Sequence, residues 1–180
     1  MKKNIIFALL ILLAFTSCNT LNPTEKRLVG KWYGTSQSNN KRGNFTAEIT
    51  CKFLEDKSFE SAATYIQTDT VCGFEDLRRM ITLSAKYTGT WDVVNKYVRQ
   101  RYSDVELTVK DIDFVGADVA HLDIERMKED CLKLSTQNIP SMKKEMLEPD
   151  SARIETLNED HLVTIGKDGF KVESVRIPAE

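Results

Sequence analysis

Chemistry needs side chains that can be brought together, and few in this sequence can. His121, in "VAHLDIE", and His161, in "NEDHLVT", are the only two histidines. A general base or a metal ligand works with a partner at a defined spacing, and neither histidine stands at a metal-ligand or triad spacing. His161 falls in a turn-forming stretch and reads as a solvated loop residue. The chain has no "HExxH", no "GxSxG" and no glycine-rich phosphate loop. No catalytic residue, metal site or cofactor is therefore expected, and the protein reads as non-enzymatic. The other reactive side chains are the thiols of Cys18, Cys51, Cys72 and Cys131. Their chemistry depends on where each stands.

Cys18 closes the stretch "MKKNIIFALLILLAFTSC". Lys2 and Lys3 precede an apolar run from Ile5 to Phe15, small residues follow, and the pattern is that of a secretory signal peptide over residues 1–17. The run is shorter than the ~20 residues a helix needs to span a bilayer. "FTSC" resembles the lipobox of bacterial lipoproteins. That resemblance implies cleavage before Cys18, a diacylglycerol on its thiol and a fatty acyl group such as palmitate on its new amino group. Two or more chains anchor a protein stably where one does not. Residues 18–27 would then be a lipidated tether. Asn19, where no aspartate stands, resembles the pattern of Gram-negative lipoproteins sorted to the outer membrane. The following "NTLNPTEK" lacks the acidic cluster that resembles a surface-export signal, so the periplasmic face of the cell envelope is expected.

Acylation of Cys18 leaves three thiols. Cys51 lies in the inward phase of an expected strand, where a free thiol behaves as a small hydrophobe. Cys72 and Cys131 lie outside the regular strands, and they are the candidate disulfide in an oxidising compartment. The chain carries 25 basic and 27 acidic residues, a net charge of -2, and it loses two lysines with the signal. Such a balance gives no electrostatic footprint for nucleic acid. No later apolar run is long enough to cross a bilayer, and residues 28–180 suit a single domain.

The elements that would position any site follow from periodicity. After a helical turn over Thr24–Leu28, Lys31–Ser38 reads as the first strand. In "NFTAEITCKF", Phe45, Ala47, Ile49, Cys51 and Phe53 alternate with polar residues, the mark of a half-buried strand. A turn at "EDKS" leads into Phe59–Ile66. "GFEDLRRM" reads as a short helix or loop. Ile81, Leu83, Ala85, Tyr87, Trp91 and Val93 then share one phase through Gly89, where the strand can bend. Asn95 and Lys96 mark a tight turn, and the returning strand carries Val105, Leu107 and Val109 with a bulge near Ser103. Between about 119 and 148 the period changes. Ile124, Met127, Cys131 and Leu134 form one face of a helix, and Asn138 or Pro140 opens a second with Met142 and Met146, closed by Pro149. "ARIETL", "LVTI" and "FKVESVRI" complete eight strands. The charged runs "ERMKED" and "MKKEML" are solvated helix faces.

Gly30-Lys31-Trp32, at the start of the first strand, resembles the Gly-x-Trp signature of the lipocalins and of the lipocalin-like lipoproteins of Bacteroidetes-type bacteria. Gly89-Thr90-Trp91 and "IETLNEDHLVTI" look like the same bacterial domains. The resemblance implies a mostly β fold, an eight-stranded antiparallel barrel with a helical insertion before the last three strands. It also implies that Trp32 closes one end against a basic residue of the last strand. Arg176, in phase with Phe170, Val172 and Ser174, is the candidate. An eight-stranded barrel is just wide enough to hold one small ligand or to fill itself with side chains. The first case predicts a binding module for an apolar molecule lined by Phe45, Ile49, Phe53, Phe59, Tyr65, Leu83, Tyr87 and Phe170. The second predicts a solid scaffold that meets an envelope protein through its helices and loops.

Overall fold

The computed structural model describes residues 20–40, 43–116 and 122–178. Cys18, the signal, His121 and the start of the expected insertion lie outside these described residues. The order is α1 (Pro23–Leu28), β1 (Gly30–Asn40), β2 (Gly43–Phe53), β3 (Ser58–Thr70), β4 (Arg78–Val94), β5 (Tyr97–Val115), α2 (Ile124–Met146), β6 (Asp150–Leu157), β7 (His161–Ile165) and β8 (Lys171–Ile177). Each strand pairs antiparallel with its neighbour in sequence, and β8 returns to β1, so the fold is mostly β with one ring-like sheet of eight strands and two helices.

The ring is uneven. β1 meets β8 only over Lys31–Thr35, and β5 meets β6 only over Tyr97–Gln100. The long strands β2 to β5 run well past this closed belt. Above it α2 packs against β5, and it covers the inner face: Cys131 Sγ lies 3.7 Å from Arg79 Nη1, and Met146 Sδ lies 3.7 Å from the Tyr87 hydroxyl. Both partners are in the inward phase of β4.

Local sequence explains most boundaries. Asn22 caps α1 by accepting from the Thr24 and Glu25 amides, Glu25 returns a carboxylate to the Asn22 amide, and Pro23 occupies the first turn. Asn95 and Lys96 have φ of 49° and 66°, the left-handed pair that a two-residue hairpin requires. Opposite Gly89 the register skips Ser103, since Thr88 faces Asp104 and Gly89 faces Tyr102. A Cβ at Gly89 would meet the Arg101 carbonyl and the Phe59 ring, so the bend needs this glycine. A second irregularity follows, where Thr82 faces Asp111 and Leu83 faces Val109.

Several expectations are corrected. Arg78–Met80 belong to β4 and not to a helix or loop. α2 is a single helix through Pro140. A proline inside a helix removes one amide bond, but packing of Ile139, Met142 and Met146 on the core carries the helix past it. Leu134 is 61% exposed. The buried stripe runs through Ile124, Met127 and Cys131 to Ile139, Met142 and Met146. With 3.6 residues per turn it passes from Cys131 through Ser135, which leaves Leu134 outside.

Two cores result. Trp32, Phe53, Phe59, Trp91 and Leu162 fill the closed belt with Leu28 of α1. Leu77, Ile112, Phe114 and Cys131 form a smaller cluster between the strand ends and α2.

Candidate functional site

Between the two helices the ring encloses a cavity of about 1160 Å³. Its floor is the closed belt, where Trp32, Phe53 and Leu162 line it from below. It reaches the surface where exposed Asn44, Glu145, Glu148, Lys167 and Asp168 line it. Among the described residues the mouth is therefore built from the start of β2, the β7–β8 connection and the C-terminal end of α2.

The walls are aromatic because the inward phases of β2, β3, β4 and β5 converge. Phe45 stacks on Tyr65 at 5.6 Å and meets Phe170 edge-on at 5.7 Å. Tyr87 and Tyr102 lie 5.5 Å apart, and the Tyr65 and Tyr87 hydroxyls are 2.9 Å apart. Burial pushes the Tyr65, Tyr87 and Tyr102 hydroxyls above their ordinary range, Tyr87 further because of Tyr65. All three stay protonated and act as neutral polar groups. Cys51 also lines the cavity. Burial pushes its thiol up to about 12, against a weaker opposing bond from Ser61, so it offers no nucleophile.

Of the residues expected to line a ligand, Phe45, Ile49, Phe53, Tyr65, Tyr87 and Phe170 line this cavity. Phe59 and Leu83 do not. Phe59 is wedged under Gly89 against Phe53 and Tyr102, where it is 1% exposed, and Leu83 packs against the core. Gln100, Tyr102 and the acidic residues of the mouth were not singled out by periodicity. Their role depends on where β6 and α2 begin and end, which alternation along one strand does not reveal.

At the closed end Arg176 Cζ lies 4.2 Å above the Trp32 ring. Its guanidinium donates to the carbonyls of Val29 at 2.7 Å, Glu159 at 2.5 Å and Arg27. Trp32 Nε1 donates to Leu28 at 2.8 Å. Gly30, at φ 130°, has no room for a Cβ beside Arg176, which gives the glycine of Gly-x-Trp a steric reason. Glu25 was missed: it is 2% exposed, binds Lys57 at 2.9 Å and accepts from the Asn22 and Val93 amides at 2.8 and 3.1 Å. Burial would raise its pKa, but these bonds outweigh burial and hold the carboxyl below its ordinary value.

The thiols expected to pair are both free. Cys72 is exposed in the β3–β4 connection, whereas Cys131 is buried under α2 on the inner face. His161 is exposed at the start of β7. Among the described residues no group of three or more His, Cys, Asp or Glu side chains could hold a metal ion, and no helix is long and apolar enough to cross a membrane.

No protein-family model and no curated protein matches this sequence. A solved structure, the crystal structure of Rv2717c from M. tuberculosis, aligns over 88% of this chain and 100% of that one, at 11% identity and a TM-score of 0.25.

Proposed function

We propose that this protein is a lipid-anchored, lipocalin-like binding module of the bacterial cell envelope that holds a small, largely apolar molecule without transforming it. The observation that carries this reading is the aromatic cavity of about 1160 Å³, somewhat above the ~300–1,000 Å³ of typical small-molecule sites and so large enough to admit a small molecule. A cavity of that size favours a hollow ring over one filled by its own side chains. The anchor is Cys18, and acyl chains there hold the protein on the outer membrane facing the periplasm. Leu21 already packs against the core, three residues beyond Cys18, and a residue spans at most ~3.6 Å. The closed end therefore faces the bilayer, and the cavity mouth points into the aqueous compartment.

Protein purified from its own host should carry an extractable organic molecule. Adding it back should raise the melting temperature with the logarithm of its concentration. An empty extract from folded, lipidated protein would count against the reading. Replacing Cys18 with Ser should leave the signal uncut or release the protein from membranes; a processed, membrane-bound variant would overturn the anchor.

A scaffold that binds an envelope protein is the second reading. It is favoured by Leu132 and Leu134, 46% and 61% exposed on the outer face of α2. Such a scaffold would give an empty extract and a crosslinked partner lost on Leu134→Asp.

A further inference from the structure

One pleat above the floor, the cavity wall carries a band of polar side chains, all of them uncharged. The register sets their level. Cys51 of β2 faces Ser61 of β3, Ser61 faces Tyr87 of β4, and Tyr102 of β5 faces Gly89, the next inward position of β4 towards the closed end. Phe53 and Phe59, each two residues away on β2 and β3, belong to the closed belt. Cys51, Ser61, Tyr87 and Tyr102 all line the cavity, and the Tyr65 hydroxyl joins them 2.9 Å from that of Tyr87.

The charges that line the cavity do not neutralise an anion at this level. Among the described residues the lining cation is Lys167, exposed in the β7–β8 connection. Asp69 faces Gly43 at the far end of β2 and is paired with Arg79. From Gly43 to Cys51 is eight residues, ~27 Å of strand, so the β1–β2 connection, whose residues 41 and 42 lie outside the described residues, starts far from the band. Asp150 faces Gln100 across β5 and β6, and the charge it brings is negative. Burial first, and then that charge, raise the Tyr102 pKa.

Hydrogen bonding within the band is incomplete. The Tyr65 and Tyr87 hydroxyls answer each other, Tyr87 also reaches Met146 Sδ, and Ser61 donates to the Thr50 carbonyl at 3.1 Å. The Tyr102 hydroxyl and the amide of Gln100, two residues before it on the same face of β5, have no side-chain partner among the described residues. No buried side-chain nitrogen or oxygen there lacks a partner, so both groups open onto the cavity they line. A hydroxyl or carbonyl oxygen would complete them. A carboxylate would give up its water and find no cation in return.

Building on the binding-module reading, we infer that the cavity takes an uncharged apolar molecule that carries a hydroxyl or carbonyl oxygen, and that Tyr102 and Gln100 bind this oxygen near the floor. The apolar body lies above, among Phe45, Tyr65 and Phe170.

Equilibrium dialysis of the full-length Cys18→Ser chain, which carries no acyl group of its own, tests this at neutral pH with three probes of one ring body: 2-naphthol, naphthalene and 2-naphthoate. The naphthol should bind about fivefold tighter than naphthalene, and roughly tenfold or more tighter than naphthoate. Tyr102→Phe, which keeps the ring, should bring naphthol down to naphthalene and leave naphthalene unchanged. Gln100→Leu should reduce the same advantage, and it replaces Tyr102→Phe if that variant does not fold. Naphthol no tighter than naphthalene, naphthoate matching naphthol, or an advantage that survives both substitutions would overturn the inference; with naphthalene bound, the binding module stands. If none of the three binds, the binding module falls and the inference falls with it.

Discussion

The closed end of the ring and its mouth use charge in opposite ways. At the closed end every charged group that is drawn inward has partners: Glu25 has Lys57 and two backbone amides, and Arg176 has three carbonyls and the Trp32 ring. At the mouth, Glu145, Glu148, Asp150 and Asp168 have no ionic partner among the described residues. A buried charge must be compensated or the fold fails. A charge on an open rim is solvated and free to meet something else. The contrast separates the part of the molecule that holds the ring shut from the part available for recognition.

The sharpest way to break this comparison is at Trp32. It is 1% exposed, and Trp32→Ala should cost about 3–5 kcal/mol in denaturant titration. A loss no larger than that of a surface substitution would mean that the closed end does not bear the stability assigned to it.

Next in size is Glu25→Ala, which strands Lys57 and two amides and should cost about 3 kcal/mol. The same carboxyl gives a pH signature. Its folded pKa lies below the ordinary 4.5, so the unfolded state takes up the proton first. The stability it contributes is complete above pH 4.5 and is lost as pH falls through the folded value. Glu25→Gln should flatten that part of the pH–stability curve; an unchanged acid limb would place the carboxyl elsewhere.

Arg176→Ala, alone and combined with Trp32→Ala, should reveal a coupling of about 0.5–2 kcal/mol. Strictly additive losses would show that the stacking contributes nothing. The smallest effect is expected at the mouth. Glu148→Gln should change stability by less than about 0.5 kcal/mol, and a loss comparable with that of Glu25→Ala would dissolve the contrast between the two ends.

Strands were legible where alternation and turn chemistry agree. Phe45 to Phe53, the turn at Asn95 and Lys96, the bend at Gly89 and the bulge at Ser103 are all local events, set by pleat and backbone preference over a few residues. The helical stripe was legible in type but not in phase, because Leu134 and Ser135 differ by one step that only the packed neighbours decide. The site was legible in part. Six of the eight residues expected to line it share inward phases and do so, while Phe59 was drawn into the floor by the space above its ring at Gly89.

By itself, then, the sequence determined the periodicities: eight runs of strand, a helical stretch after the fifth, and tryptophans placed in inward phases. These depend on steric and hydrophobic preferences that act over neighbouring residues. Only the tertiary structure decided that β6 pairs with β5, and β8 with β1, over only a few residues, that α2 covers the inner face above them, and that a cavity remains beneath it. The same holds for Glu25, whose partners Lys57 and Val93 come from distant turns and strands. It holds too for the acidic rim, where residues from α2, β6 and the β7–β8 connection meet. Such meetings depend on how far each strand runs before it loses its neighbour, a property of the closed ring and not of any one segment.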